Sequence, residues 1–345
     1  MSKIIRASEI GEYRDQGYKV IDPHLHSSAS YDVFPIPALA PRNLAAKLLR
    51  SGWDMVTFTD HDTRAAYDDL GDLEGVVRGA EITIRPKKLW DYARPHTMHV
   101  NIWEYSDDEF DSVDAISRTG DFFGMLDFIR SAKLPHQLNH PTIPGFFERP
   151  DWSYLPAIAK EFEVVEAYNH RRSKKHNEAS LSLANAFGLG TTSGSDNHIG
   201  LPVRGTLVKG DSFPEMWDRI KAGDSLIVQG GLTYDSMKQT IQEYVRHFFR
   251  ISPEDLKEYR FRLKSERARM DKFMDTVITK KTEGSVLLRG YQSKLVEAVF
   301  HYVGPIIAEF AYVRKQNKIG EEIFTFLDGL LQEMELSYVQ SGQGE

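Results

Sequence analysis

The sequence predicts an α/β chain in which a mainly parallel sheet, open or closed into a barrel, is followed by an all-helical appendage. Three observations lead there. Strand-like and helix-like segments alternate through the first 235 residues, metal-ligand residue types fall at the ends of the strand-like segments, and the chain from Met237 onward has no convincing strand pattern.

The strand patterns run over residues 18–21, 55–59, 75–81, 100–103, 163–167 and 190–193, with a poorer one around 134–139. Helical patterns intervene at 41–51, 121–132 and 174–187, the last closed by Gly188 as a C-cap. In the tail, apolar positions such as Met270, Phe273, Val277 and Ile278 recur at helical spacing. A boundary near 235 divides the chain into a barrel domain, 1–235, and a helical domain, 236–345, that serves packing, oligomerisation or substrate contact.

Composition limits the function classes. A chain of 345 residues with 41% hydrophobic and 27% charged residues reads as a globular protein with one large domain and a smaller one. The start, Met1-Ser2-Lys3-Ile4-Ile5-Arg6, lacks the apolar core of a secretory signal, and the most apolar late stretch, 295–313, carries Glu297, His301 and Glu309. The expectation is a cytoplasmic protein with no membrane partner. The absence of cysteine removes disulfides, thiolate catalysis and cysteine-ligated metal sites, so any metal must rest on nitrogen and oxygen. Residues 236–345 carry a net charge of +1, leaving −8 on residues 1–235, where ten of the 12 histidines lie.

Those histidines carry the chemistry. In Asp22-Pro23-His24-Leu25-His26 the two imidazoles are two residues apart in extended chain and point the same way, close enough to share an ion. Later strands end in Thr59-Asp60-His61-Asp62, Gly79-Ala80-Glu81, Asn139-His140-Pro141 and Gly194-Ser195-Asp196-Asn197-His198, the last repeating the i, i+2 spacing. Barrel enzymes assemble their sites from such strand ends. His99 fits less cleanly, because it begins a strand pattern.

Taken together with Ser30-Tyr31-Asp32, Thr63 and Ser27, these motifs resemble, in order over residues 18–232, the PHP (polymerase and histidinol phosphatase) metal-dependent phosphoesterases. The nearest branch is the one carrying Thr-Asp-His-Asp-Thr, which includes nucleotide phosphatases and 5′-to-3′ exonucleases. The resemblance implies a distorted (β/α)7 TIM-like barrel with a trinuclear metal site. One ion would take His24, His26, Glu81 and Asp196, a second Glu81, His99 and His140, and a third Asp32, His61 and His198, with Glu81 bridging the first two. His96 competes with His99. Asp22 and Asp60 are expected to orient ligating imidazoles through their other nitrogen, with Asp62 in that role or a simple turn residue.

The donor set favours Mn, Fe or Zn over Ca or Mg, and the resemblance implies two to three such ions. Such ions would activate a bridging hydroxide and hold phosphoryl oxygens, which predicts a hydrolase acting on phosphate ester bonds. An amidohydrolase with one or two ions is the chemical rival, but it commonly uses a carboxylated lysine, and no lysine falls at a strand end. Arg171 and Arg172, directly after the sixth strand, are first choices for substrate phosphate, with Arg204 and Arg149 weaker. Asn169 and His170 are further candidates for substrate contact, and His170 is also the candidate proton donor. Trp90, Phe146 and Trp152 could stack on a base, although packing is the commoner role for such residues. In the tail, nine Lys and Arg against four acids over 257–281, with Tyr259 and Phe261 interleaved, fit either a nucleic-acid-tracking face or the solvated side of a packed or homo-oligomeric helix. The substrate expected is a small phosphorylated metabolite or a nucleotide. The alternatives are a 5′-3′ exonuclease and a non-catalytic metal-binding module.

Overall fold

Strand and helix alternate from Lys3 to Gln229 in a computed structural model that describes residues 3–33, 37–71, 73–87, 89, 95–144, 152–198 and 205–230, with positions 325 and 329. The order is β1 (Lys3–Arg6), α1 (Ile10–Asp15), β2 (Lys19–Asp22), α2 (Pro41–Arg50), β3 (Met55–Phe58), α3 (Ala66–Leu70), β4 (Val76–Ile84), β5 (Met98–Trp103), α4 (Asp107–Thr119), α5 (Phe122–Ser131), β6 (His136–Asn139), α6 (Leu155–Ala159), β7 (Val164–Asn169), α7 (Lys174–Phe187), β8 (Gly190–Gly194), β9 (Thr206–Val208), α8 (Phe213–Lys221) and β10 (Leu226–Gln229). The helices end where their sequences provide caps. Ser106 and Glu109 form a capping box that opens α4, Asp121 accepts from Gly124 at the start of α5, and Gly188 closes α7 in the left-handed region.

The ten strands form one curled sheet in the order β1-β10-β9-β2-β3-β4-β5-β6-β7-β8, a TIM-like α/β architecture. All seven expected strands are present, and β1, β9 and β10 add to them. The sheet is less uniformly parallel than its βα repeats suggest: β5 runs antiparallel to both β4 and β6, and β9 runs antiparallel to β2 and β10.

The sheet curls until β8 meets β9 and the chain beyond β2. At that seam Thr206 Oγ1 accepts from Ser193 N at 2.8 Å and donates to Ser193 O at 3.0 Å, so a side chain does the work of a ladder bond. Past the strand ends, Asp196 N donates to His24 O at 2.8 Å and His26 N to Asn197 O at 3.2 Å. Alternation along the strands sorts the two faces. Ile82, Ile84, Val100, Ile102 and Leu138 pack outward with Phe110, Phe122, Met125 and Ile129 of α4 and α5. Glu81, Asn101, Gln137, Asn139 and Thr192 turn to the other face and bond to one another. The lumen is therefore polar here, where branched aliphatic residues would ordinarily fill a barrel.

The appendage expected over 236–345 lies outside the described residues, apart from positions 325 and 329. No helix among the described residues is long and apolar enough to cross a membrane. The packing of β8 on the end of α8 leaves no room at Gly190, where a methyl group would run into the Ile220 backbone carbonyl. Gly190→Ala is expected to destabilise the fold by about 1–3 kcal/mol, read as a lower urea midpoint with an unchanged slope.

Candidate metal centre

Each element delivers its side chains to one rim for a local reason. His24 and His26 follow β2 in extended chain, and the parallel bridge between Leu25 and Asn197 sets them beside Asp196 and His198, which follow β8. His61 extends β3 and bridges in parallel to Glu81, which lies within β4. His140 follows β6 with φ 24°, and Asp196 has φ 47°, a backbone region that costs a non-glycine residue about 1–3 kcal/mol and is concentrated at functional sites. The reversed direction of β5 accounts for His99. Its first residues lie at the end where the parallel strands finish, with His99 opposite Thr83 on β4 and Asn139 on β6.

Glu81 sits at the centre, and its two oxygens face different imidazoles. Oε2 lies 3.2 Å from His24 Nε2, 3.2 Å from His26 Nε2 and 3.4 Å from His61 Nδ1. Oε1 lies 3.0 Å from His99 Nδ1 and 3.3 Å from His140 Nε2. Asp196 Oδ1 approaches His26 Nε2 at 3.5 Å and His24 Nε2 at 3.8 Å. On the far side of His26, Asp32 Oδ2 is 2.8 Å from His198 Nε2 and 3.6 Å from His61 Nε2. His24, His26, Asp32, His61, Glu81, His99, His140, Asp196 and His198 thus lie together, all but Asp32 and His99 buried.

This donor set fits divalent cations. His24 Nε2 and His26 Nε2 are 3.1 Å apart and each lies 3.2 Å from Glu81 Oε2, so three metal-ligating atoms converge on one point. His26 Nδ1 is buried and has no hydrogen-bond partner among the described residues. Burial disfavours the charged form of His24 and His26, yet the carboxylates around them overcome it, lifting His24 well above its ordinary value and His26 to about 9. Burial would likewise raise Glu81 and Asp196, but the imidazoles around Glu81, and Arg172 and Arg171 beside Asp196, hold both well below the usual carboxylate range. The site concentrates ionised carboxylate where cations are favoured.

Glu166, in the middle of β7, was not among the residues singled out by sequence. Its Oε1 is 2.9 Å from His24 Nδ1, and its Oε2 accepts from His140 N at 3.0 Å and Asn169 Nδ2 at 3.0 Å. The available signal was a lone acid within the apolar run Val164-Val165-Glu166-Ala167-Tyr168, a residue type seldom buried without a partner. Glu166 thereby takes the imidazole-orienting part expected of Asp22 and Asp60. Those two bond elsewhere: Asp22 Oδ1 accepts from the backbone of His24 and Ser195, and Asp60 accepts from Ser27 N and Oγ, both at 2.6 Å. A methyl group on Gly194 would strike both Glu166 Oε1 and His24 Cβ, so glycine there permits this approach.

The remaining candidates separate by position. His96 bonds Tyr154 Oη and packs against the Trp152 ring, so of the two competing histidines His99 is the one at Glu81. Trp152 accordingly has a packing role. Arg172 Nη2 donates to Asp196 Oδ2 at 3.0 Å, and Arg171 Nη1 lies 2.6 Å from His198 Nδ1 and 3.5 Å from Asp196 Oδ1. Asn169 also joins, donating to Asp196 Oδ2 at 3.2 Å. The buried ring of His170 packs edge-on to Tyr168, 5.3 Å between centroids, on the side of Gly230, which lends no support to a proton-donor role. Asp62 Oδ1 accepts from Thr83 N at 2.7 Å and so behaves as a turn residue. Arg204, Arg149, Trp90 and Phe146 lie outside the described residues.

Removing the Glu166 carboxylate should loosen the centre while leaving the nine clustered residues in place. Glu166→Ala is expected to weaken Mn2+ binding by about 10–100-fold in titration calorimetry, with His96→Ala retaining the wild-type affinity.

No protein-family model matches the chain, and no curated protein matches it by sequence. Among solved structures it is similar to one described as a "putative metal-dependent phosphoesterase" from Bifidobacterium adolescentis, with 18% identity over 58% of this chain and 96% of that one and a TM-score of 0.41. It is similar also to an amidohydrolase from Chromobacterium violaceum, solved with sulfate and no metal, with 15% identity over 60% of this chain and 97% of that one and a TM-score of 0.38. A lesion-specific endonuclease from Pyrococcus furiosus shares 14% identity over 63% of this chain and 59% of that one, with a TM-score of 0.42. At these levels the functional case stands on the chain's own residues.

Proposed function

We propose that this chain is a metal-dependent hydrolase of phosphate esters, acting on a small phosphorylated metabolite or a nucleotide. The single observation that carries the reading is the meeting of the buried imidazole and carboxylate cluster around Glu81 with two guanidinium groups, Arg171 and Arg172, at Asp196. Residues 1–235 would form the hydrolase barrel and 236–345 a separate helical domain.

Two to three Mn, Fe or Zn ions would be held by His24, His26, Asp32, His61, Glu81, His99, His140, Asp196 and His198, and when bound they supply an activated water near neutral pH and charge stabilisation for phosphoryl oxygens. The protein's own groups do the rest. Arg171 and Arg172 enter from the loop between β7 and α7, and a planar guanidinium suits paired contacts to a phosphate. Arg172 is the better held, its side chain 15% exposed against 36% for Arg171. Asn169 links Glu166 to Asp196, fixing the two carboxylates that flank His24. Glu166, Asn169 and Asp196 are at most 2% exposed, which keeps bulk water from competing for their contacts.

Metal-reconstituted protein is expected to release inorganic phosphate from p-nitrophenyl phosphate or a nucleoside monophosphate. His26→Ala and Asp196→Asn should abolish that release, and Arg172→Ala should raise KM by about 10-fold or more through loss of a charge-assisted hydrogen bond. Release of mononucleotides from a 5′-phosphorylated oligonucleotide, without monoesterase activity, would select the exonuclease reading. Failure to turn over any of a broad panel of mono- and diesters would leave a metal-binding module.

A further inference from the structure

The polar lumen beneath the metal centre forms a hydrogen-bonded chain with a fixed direction. Asn139 Nδ2 donates to Glu81 Oε1 at 2.8 Å and to Asn101 Oδ1 at 2.6 Å. Asn139 Oδ1 accepts from Gln137 Nε2 at 2.8 Å, and Gln137 Oε1 accepts from Thr192 Oγ1 at 2.8 Å. Asn101 Nδ2 closes a side branch by donating to Pro23 O at 3.1 Å, immediately before His24. These residues are 0–1% exposed and come from β4, β5, β6 and β8.

The carboxylate sets the direction of the whole chain. An ionised Glu81 can only accept, so Asn139 must present its amide nitrogen, its oxygen must then accept from Gln137, and the Gln137 oxygen is left for the Thr192 hydroxyl. A reversed amide anywhere in this series would place two buried acceptors face to face, an arrangement that costs more than the lost bond alone.

The geometry points to Asn139 as a positioning residue for Glu81, held in its orientation by a relay that begins at Thr192 on the opposite side of the lumen. The inference rests on the proposed metal centre and deepens it. Glu81 reaches His24 and His26 with one oxygen and His99 and His140 with the other, so the plane of its carboxylate decides whether two cations can share it. With Asn139 donating to Oε1, that plane is set before any cation arrives. Thr192 touches none of the nine clustered residues in this chain of bonds, which makes it a remote handle on the same property.

The test is Mn2+ titration of the full-length protein, followed by calorimetry and by electron paramagnetic resonance. Wild-type protein should show a spin-coupled signal from two ions sharing one carboxylate. Asn139→Leu should weaken Mn2+ binding by about 10–100-fold and replace the coupled signal with that of isolated ions. Thr192→Val should weaken binding by a smaller factor, and Thr192→Ser, which keeps the hydroxyl, should restore the wild-type affinity and spectrum. A purely structural role would lower the unfolding midpoint of these variants and leave affinity and coupling unchanged, overturning the inference. If Asn139→Leu fails to fold, the Val and Ser pair at Thr192 decides the matter alone. Wild-type protein that takes up no Mn2+, Zn2+ or Fe2+ would overturn the proposed function together with this inference, whereas normal wild-type coupling with no response in the variants overturns the inference only.

Discussion

A buried negative charge organises this protein. Glu81, Glu166 and Asp196 are each at most 2% exposed and stand within one rim, an arrangement that a protein interior tolerates only where positive charge is supplied at close range. His24 and His26, whose protonated forms the surrounding carboxylates favour, supply it beside Glu81, and two guanidinium groups supply it at Asp196, whereas burial favours the neutral forms of His61 and His140. Almost every unusual feature of the rim serves that need. His140 and Asp196 accept left-handed backbone, β5 runs against its neighbours so that His99 can face inward, and Gly194 gives up a side chain so that Glu166 can approach His24.

How much of this was legible in the sequence depends on whether the signal was local. The pairing of His24 with His26 could be read directly, because a two-residue spacing in extended chain has one geometric meaning; Asp196 and His198 also come together, 3.5 Å apart, but through a left-handed backbone at Asp196 that the spacing did not reveal. α7 was equally plain, its apolar face ending at a glycine in the left-handed region. Strand direction is a different kind of information. Nothing in the alternation of Met98–Trp103 tells which way the strand runs, so His99 looked out of phase until its antiparallel pairing placed it. β9 escaped because three residues make no pattern, whereas Leu226-Ile227-Val228 of β10 and the Ser106 to Glu109 capping signature of α4 were present and could have been used.

The lumen residues illustrate the same divide from another side. Asn101 interrupts the apolar stretch of β5, Gln137 and Asn139 flank Leu138 in β6, and Thr192 is an ordinary strand residue, so none of them taken singly marks a site. Only the register of β4, β5 and β6 shows that the interruptions align. Their alignment makes a connected polar interior, with Ile82, Val100, Ile102 and Leu138 of the same strands free to face the helices.

The seam between the chain after β2 and the chain after β8 has a thermodynamic consequence. The segments that zip the barrel shut through the backbone of His24, His26, Asp196 and Asn197 are the same segments that present His24, His26, Asp196 and His198 to the cluster. A cation that binds only when these segments are side by side cannot be separated energetically from closure of the sheet. By mass action, such a ligand at 100 times its dissociation constant adds about 2.7 kcal/mol to the closed form. Opening at the seam would then become a property of ion concentration as much as of the polypeptide.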